Sequence, residues 1–223
     1  MYDGYLLMFC IVTFTFAIAL VFILQPKETK KFDKQGMVQY RDNDYWGSTM
    51  NIFYFYDKDE ADSFKKSAQA QPDKMLVKMP LETAQMLCTA HRELDGDDYA
   101  DANGLYKRAY WNHPCTIWAR TTSDNYFWLY EHFLALGEEY KYRYGREHAS
   151  IVKLAKPLVC RPENIKIDAM TLPAQAMPDE YKHEDPVVAY RRYVINEKHY
   201  AKWEKGRDKP EWWHKDYAEA LAI

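Results

Sequence analysis

Four cysteines, Cys10, Cys88, Cys115 and Cys160, lack the spacing of a metal site, and one lies in an apolar run. They read as free thiols of a reducing compartment. No glycine-rich phosphate loop and no Gly-x-Ser-x-Gly elbow occurs, so ATP-driven chemistry and serine hydrolysis of those kinds are poorly supported. His132, His148, Glu131, Glu138 and Glu139 lie close together, yet they form no Glu-x-x-His or His-x-x-x-His pair among themselves. No metal is therefore expected, and no other cofactor. An excess of one charge is also missing. The formal net charge of −3 argues against attraction of the whole surface to a polyanion, though not against a local basic groove. No internal repeat stands out.

What is present begins with aromatics. The 19 tyrosines and 7 tryptophans exceed what a core needs, and such side chains suit flat ligands. At 223 residues the chain can build one substantial core, or a core with an appendage. The appendage is residues 1–26. From Tyr5 to Leu24, "YLLMFCIVTFTFAIALVFIL" carries neither charge nor proline. About 20 helical residues cross the ~30 Å hydrocarbon layer with every backbone group satisfied internally. Asp3 before the run and "QPK" after it fit an uncleaved anchor better than a signal peptide. Lys27, Lys30, Lys31 and Lys34 then predict a single-pass membrane protein with its C-terminal domain in the cytoplasm. A polar linker, 27–49, leads to Met50. The alternative reading makes Met50 the first residue of a shorter, cytoplasmic chain.

Residues 50–223 read as one all-α domain. "MNIFYFY" is short, aromatic and β-branched, a strand or an extended entry segment. "DKDEADSFKKSAQA" predicts a helix starting near Asp57 or Asp59 and closed by "QPD". "KMPLETAQMLCTAHREL" has Pro80 in its first turn and apolar residues at helical spacing. "DGDDYADANG" is expected to be an acidic loop. A long helix follows through "SDNYFWLYEHFLALGEEYKYRYG", with Ser123 as its cap and Gly145 at its exit. "REHASIVKLAK" predicts a shorter one. The proline-containing 157–185 reads as a surface loop, and Asp185-Pro186 opens a final helix stopped by Gly206.

Several residues could carry chemistry. Glu82 falls at the edge of the apolar face of its helix, where a half-desolvated carboxylate suits acid–base work; it could also simply face the helix dipole. His113 precedes a proline, which holds its imidazole at a helix entrance where an anion could bind. Arg120 follows seven residues later. "EEYKYRYGREH" interleaves Lys141, Arg143 and Arg146 with tyrosines, and "AYRRYVINEKHYAKWEKGR" repeats the mixture with Arg191, Arg192 and Lys198. Cations neutralise phosphates while rings stack on bases, although alternation within a helix scatters such residues around it.

From Met50 onward the chain resembles a group of small proteins of tailed phages that begin near "MNIF". They keep blocks like "ETAQMLCTAH", "NHPCTIWAR", "EEYKYRYG" and "AQAMPDEYK". More remotely it resembles the pyrimidine-dimer DNA glycosylases of the phage endonuclease V type. "DKMLVKMPLE" sets Asp73 and Leu76 on that family's Asp-x-His-Leu step and Glu82 on its catalytic glutamate. Met75 stands where the family has histidine, and Leu81 and Gln85 replace arginines. The resemblance implies attack by a terminal α-amine on a sugar carbon of damaged DNA, an imine intermediate, and assistance by Glu82. It further implies DNA contacts by His91, His113, Arg120, Arg143, Arg146 and Arg191. With residues 1–49 present no such amine exists at Met50 or Asn51, and a lysine such as Lys74 or Lys78 has to substitute. The anchor and the terminal-amine mechanism therefore pull against each other. The other reading is a membrane-tethered helical module that binds a small ligand or a partner protein.

Overall fold

The computed structural model describes residues 50–214, and the predicted membrane segment 5–24 and linker lie outside them. Among the described residues no helix is long and apolar enough to cross a membrane, and no strand is formed. The described residues form eight α-helices, in order α1 (Ser63–Gln69), α2 (Asp73–Leu76), α3 (Met79–Leu94), α4 (Asp98–Ala102), α5 (Pro114–Ala119), α6 (Ser123–Tyr144), α7 (Ala149–Leu154) and α8 (Pro186–Glu197). A 3₁₀ turn, Asp179–Tyr181, precedes α8 and packs on it.

The long helix α6 is the axis of the domain, with α1 and α3 packed along it. Its buried residues Tyr126, Leu129, Phe133 and Leu136 recur every three or four positions, as one helical face must. They meet Met79, Met86, Leu87 and Ala90 of α3 in the same core. Thr122, rather than Ser123, caps α6, its side chain accepting from the Asn125 amide. Ser123 is instead drawn into bonds with Asp168 of the following loop. Gly145 ends the helix at φ +68°, a conformation that costs glycine little.

The "MNIFYFY" stretch is irregular and joins no sheet, with Phe53 left-handed at φ 53° in its middle. Ile52, Tyr54 and Phe55 are buried, so their neighbours' polar groups must be satisfied inside the protein. Side chains do this: Ser67 Oγ accepts from the Phe55 amide at 3.2 Å, and Arg191 donates to the Phe55 carbonyl at 2.7 Å. Four boundaries differ from expectation. Asp62 is left-handed at φ 57°, which delays α1 to Ser63. The acidic 95–104 stretch contains α4, because Arg92 binds both Asp97 and Asp101 at 2.7 Å and folds the loop onto α3. The 157–185 segment is not wholly superficial, since Leu158, Ile165 and Met177 reach the core. Finally α8 stops at Glu197, not near Gly206. Lys202 there offers its carbonyl to the Asp73 amide at 2.9 Å and peels the chain off as a strap over α2.

Candidate functional site

The site assembles where the start of α3 meets the end of α8. Pro80 in the first turn starts α3 with a ring whose missing N–H costs nothing there, and it fixes Glu82 just inside. Glu82 is 8% exposed, so the carboxylate sits at the lip of the core as its wheel position predicts. One turn earlier Lys78 brings Nζ to 3.7 Å from Glu82 Oε1, with about a third of its side chain open to solvent at 35%. Burial lowers the proton affinity of Lys78 below that of an ordinary lysine; Glu82 opposes the shift and the nearby ammonium of Lys198 adds to it.

Lys198 closes the last turn of α8 and donates from Nζ to the Tyr193 hydroxyl at 3.1 Å, with its charge 4.7 Å from that ring. A tight turn, Ala201 amide to Lys198 carbonyl at 2.7 Å, then swings Tyr200 toward α2. Lys74 of α2 stands 5.2 Å over the Tyr200 ring. Burial raises the Tyr200 phenol, Lys198 lowers it, and both Tyr193 and Glu82 raise it further. The result is a chain of contacts in which Lys78 meets the sunken Glu82, Lys198 meets Tyr193, and Lys74 covers Tyr200.

Behind that face lies the segment of Asn51. Its Nδ2 donates to the Ala176 carbonyl at 2.9 Å, and its Oδ1 accepts from Tyr190 at 2.5 Å and from Cys115 Sγ at 3.6 Å. The Asn51 side chain is thus a buried structural bridge. The Cys115 thiol is pushed up to about 12, chiefly by burial, and the Glu82 carboxylate is near enough to add to that rise. Asn51, Cys115 and Glu82 therefore share one neighbourhood.

The other candidates are not gathered here. His91 lies nine residues beyond Glu82 on α3, about 13 Å along the axis, and bonds Tyr126 at 3.0 Å and the Cys160 carbonyl at 3.1 Å. Arg120 feels Glu93, farther still along α3, and donates to the Thr116 carbonyl at 3.1 Å. Arg143 is buried, its donors bound to Glu139 at 2.7 Å, Asp73 at 2.9 Å and the carbonyls of Gln69 and Gln71 at 2.8 Å. Arg191 bonds the Phe55 carbonyl and lies over the Tyr56 and Trp212 rings. Arg146 is exposed, 3.1 Å from the Tyr140 hydroxyl. His113 sits at a helix entrance as expected, but its own Nδ1 accepts from the Cys115 amide at 3.2 Å and takes the place of an anion. Burial alone lowers it to about 4, which keeps it neutral at pH 7.

Tyr193 and Tyr200 escaped the sequence reading. One is a core position of α8 and the other lies in the aperiodic strap, so neither carries a spacing signal. Among the described residues no group of three or more His, Cys, Asp or Glu side chains is placed to hold a metal ion. Two surface depressions, one of about 230 Å³ beside Tyr56, Lys66 and Arg207 and a wide one beside Gln175, His183 and Glu184, do not include Lys78 or Glu82. Comparison with protein-family models, curated proteins and solved structures gave no match.

Proposed function

We propose that the domain is an imine-forming lyase or glycosylase acting on damaged nucleotides in DNA, with Lys78 as the amine and Glu82 as its acid–base partner. The observation that carries this reading is the half-sunken Lys78–Glu82 pair, 3.7 Å apart, in which burial weakens the hold of the lysine on its proton. An amine attacks only in its neutral form, so a lysine whose desolvation releases the proton more easily is a better nucleophile near neutral pH. On an abasic sugar, the lone pair of the amine adds to the aldehyde carbon C1′, and loss of water leaves an imine. Glu82, as carboxylate, then takes a proton from C2′, and the C3′–O bond breaks with its electron pair leaving on the 3′-phosphate. In a chain beginning at Met50, the terminal amine would lie in the Asn51–Cys115 neighbourhood of the same carboxylate and could replace Lys78. The apolar run 5–24 would tether the activity to the cytoplasmic face of a membrane, which extraction of membranes with carbonate tests.

The decisive measurement is borohydride trapping of the full chain on an oligonucleotide with one abasic site. A covalent adduct is expected, mapped by mass spectrometry to Lys78, lost in Lys78→Ala and slowed in Glu82→Gln. Failure to trap any adduct, or an adduct that survives unchanged in both variants, removes the reading.

A further inference from the structure

The cations around Lys78 are not balanced. Lys78 has Glu82, but Lys74 and Lys198 form no ion pair with any carboxylate of the described residues. The acids nearest in sequence are committed elsewhere. Asp73 holds Arg143 at 2.9 Å, Glu204 holds Lys202 at 3.1 Å, and Glu197 accepts from Tyr181 at 2.7 Å. Lys74 lies 5.2 Å over the Tyr200 ring, and the Lys198 ammonium, held on Tyr193 at 3.1 Å, is near enough to lower the Tyr200 phenol. Proteins ordinarily intersperse opposite charges, and a lysine pair gathered around an exposed ring is what an anion with a flat group beside it needs.

The strap keeps the arrangement in place. Its Lys202 carbonyl and Glu204 amide are tied to Asp73 at 2.9 and 2.7 Å, and Trp203 donates to the Ala70 carbonyl at 3.2 Å. Tyr200 is thus held between a fixed helix end and a fixed loop. Tyr200 is 41% exposed, so part of it remains open to a ligand.

We infer that Lys74, Lys198 and the Tyr200 ring form a seat for a phosphate attached to a planar group, beside the Lys78 amine. The inference rests on the reading above only for its placement next to the reacting lysine. The phosphate could belong to a nucleic-acid backbone or to a free phosphorylated ligand, since both present the same anionic oxygens. In either case the seat would fix one phosphate and leave the neighbouring sugar over Lys78.

A lysine footprint on the full chain tests this. Acetylation of Lys74 and Lys198 is followed by mass spectrometry in the presence of undamaged duplex DNA, thymidine 5′-monophosphate or inorganic phosphate. Thymidine is the uncharged control, and exposed Lys65 is the reference lysine. Acetylation at Lys74 and Lys198 is expected to slow about tenfold or more, the change that one charge-assisted hydrogen bond can produce, while Lys65 is unchanged and thymidine has no effect. The same protection of Lys74 is expected to disappear in Lys198→Gln, whose fold is checked by its far-ultraviolet circular dichroism. Protection by duplex alone assigns the phosphate to the polymer, and protection by the mononucleotide alone assigns it to a free ligand; both support the seat. No selective protection by any of the three overturns it. The borohydride adduct is read separately: an adduct without protection leaves the imine chemistry standing and removes the seat, whereas protection without an adduct does the reverse.

Discussion

Lys198 sits close enough to Lys78 to disfavour its proton, while Glu82 favours it. Burial is the larger influence on Lys78, and its direction decides the pH behaviour. Trapping by this amine should rise with pH and reach its plateau below the pH that an ordinary lysine requires. Removing the Lys198 charge in Lys198→Gln should move that rise to higher pH, because one of the two influences that free the Lys78 proton is gone. A rate profile of borohydride trapping from pH 6 to 10 checks both statements, and an unchanged midpoint would sink the second. The histidines give a separate signature. Burial lowers both His113 and His132 to about 4, so the folded state resists binding protons that the unfolded chain accepts near pH 6.5. Above that pH neither group costs stability. Between about 6.5 and 4 each subtracts, and together they predict a loss of about 2.7 kcal/mol per pH unit at the steepest. Urea unfolding across that window should show the slope reduced by about 1.4 kcal/mol per pH unit in His113→Asn, a variant that keeps a helix-capping side chain but cannot titrate.

At the scale of elements, α6 and α7 touch through a glycine. A Cβ on Gly137 would come within 2.5 Å of Ile151 Cγ1, far inside contact distance. Gly137→Ala should therefore destabilise the domain by about 1–2 kcal/mol, because over-packing outweighs the gain of ~1 kcal/mol in helix propensity. Adding Ile151→Ala should recover most of that loss, and a double-mutant cycle in urea measures the coupling. The long helices were legible in the sequence because their apolar spacing, Pro80 and Gly145 are local signals. Glu82 was legible for the same reason, since its burial follows from its position on a regular helix wheel. The end of α8 was not, because the pull of Asp73 on the strap is a contact between residues more than a hundred positions apart. The same reason hid Tyr200, and it explains why the arginines drew attention that their buried bonds do not reward. Arg143 looks like a surface cation in "EEYKYRYG" only until Glu139 and Asp73 are seen on either side of it.

For the molecule as a whole, Asp73 is the point at which helix, core and strap are fastened together. Its Oδ1 accepts from Arg143 at 2.9 Å and its Oδ2 from the Glu204 amide at 2.7 Å, while Arg143 in turn shares Glu139 with Arg207 of the strap. Breaking one partner of such a buried network leaves the others charged and unpaired, which costs about 3–5 kcal/mol when the ion pair is fully buried. Asp73→Asn keeps the size of the side chain and removes its charge, so Arg143 loses a carboxylate and the strap loses one of its two anchors on residue 73. The expected outcome is local before it is global: the strap loosens while the α3–α6 core persists. Trypsin should cut after Lys198, Lys202 and Lys205 several-fold faster in the variant, with the far-ultraviolet circular dichroism little changed. Because Tyr200 rides on that strap while Lys74 sits on α2 and Lys198 at the end of α8, the protection of Lys74 by duplex DNA should be lost in parallel with the gain in cleavage. A variant with wild-type cleavage and wild-type protection would show that the strap holds its place without Asp73, and that the fastening described here is not what keeps the lysine face together.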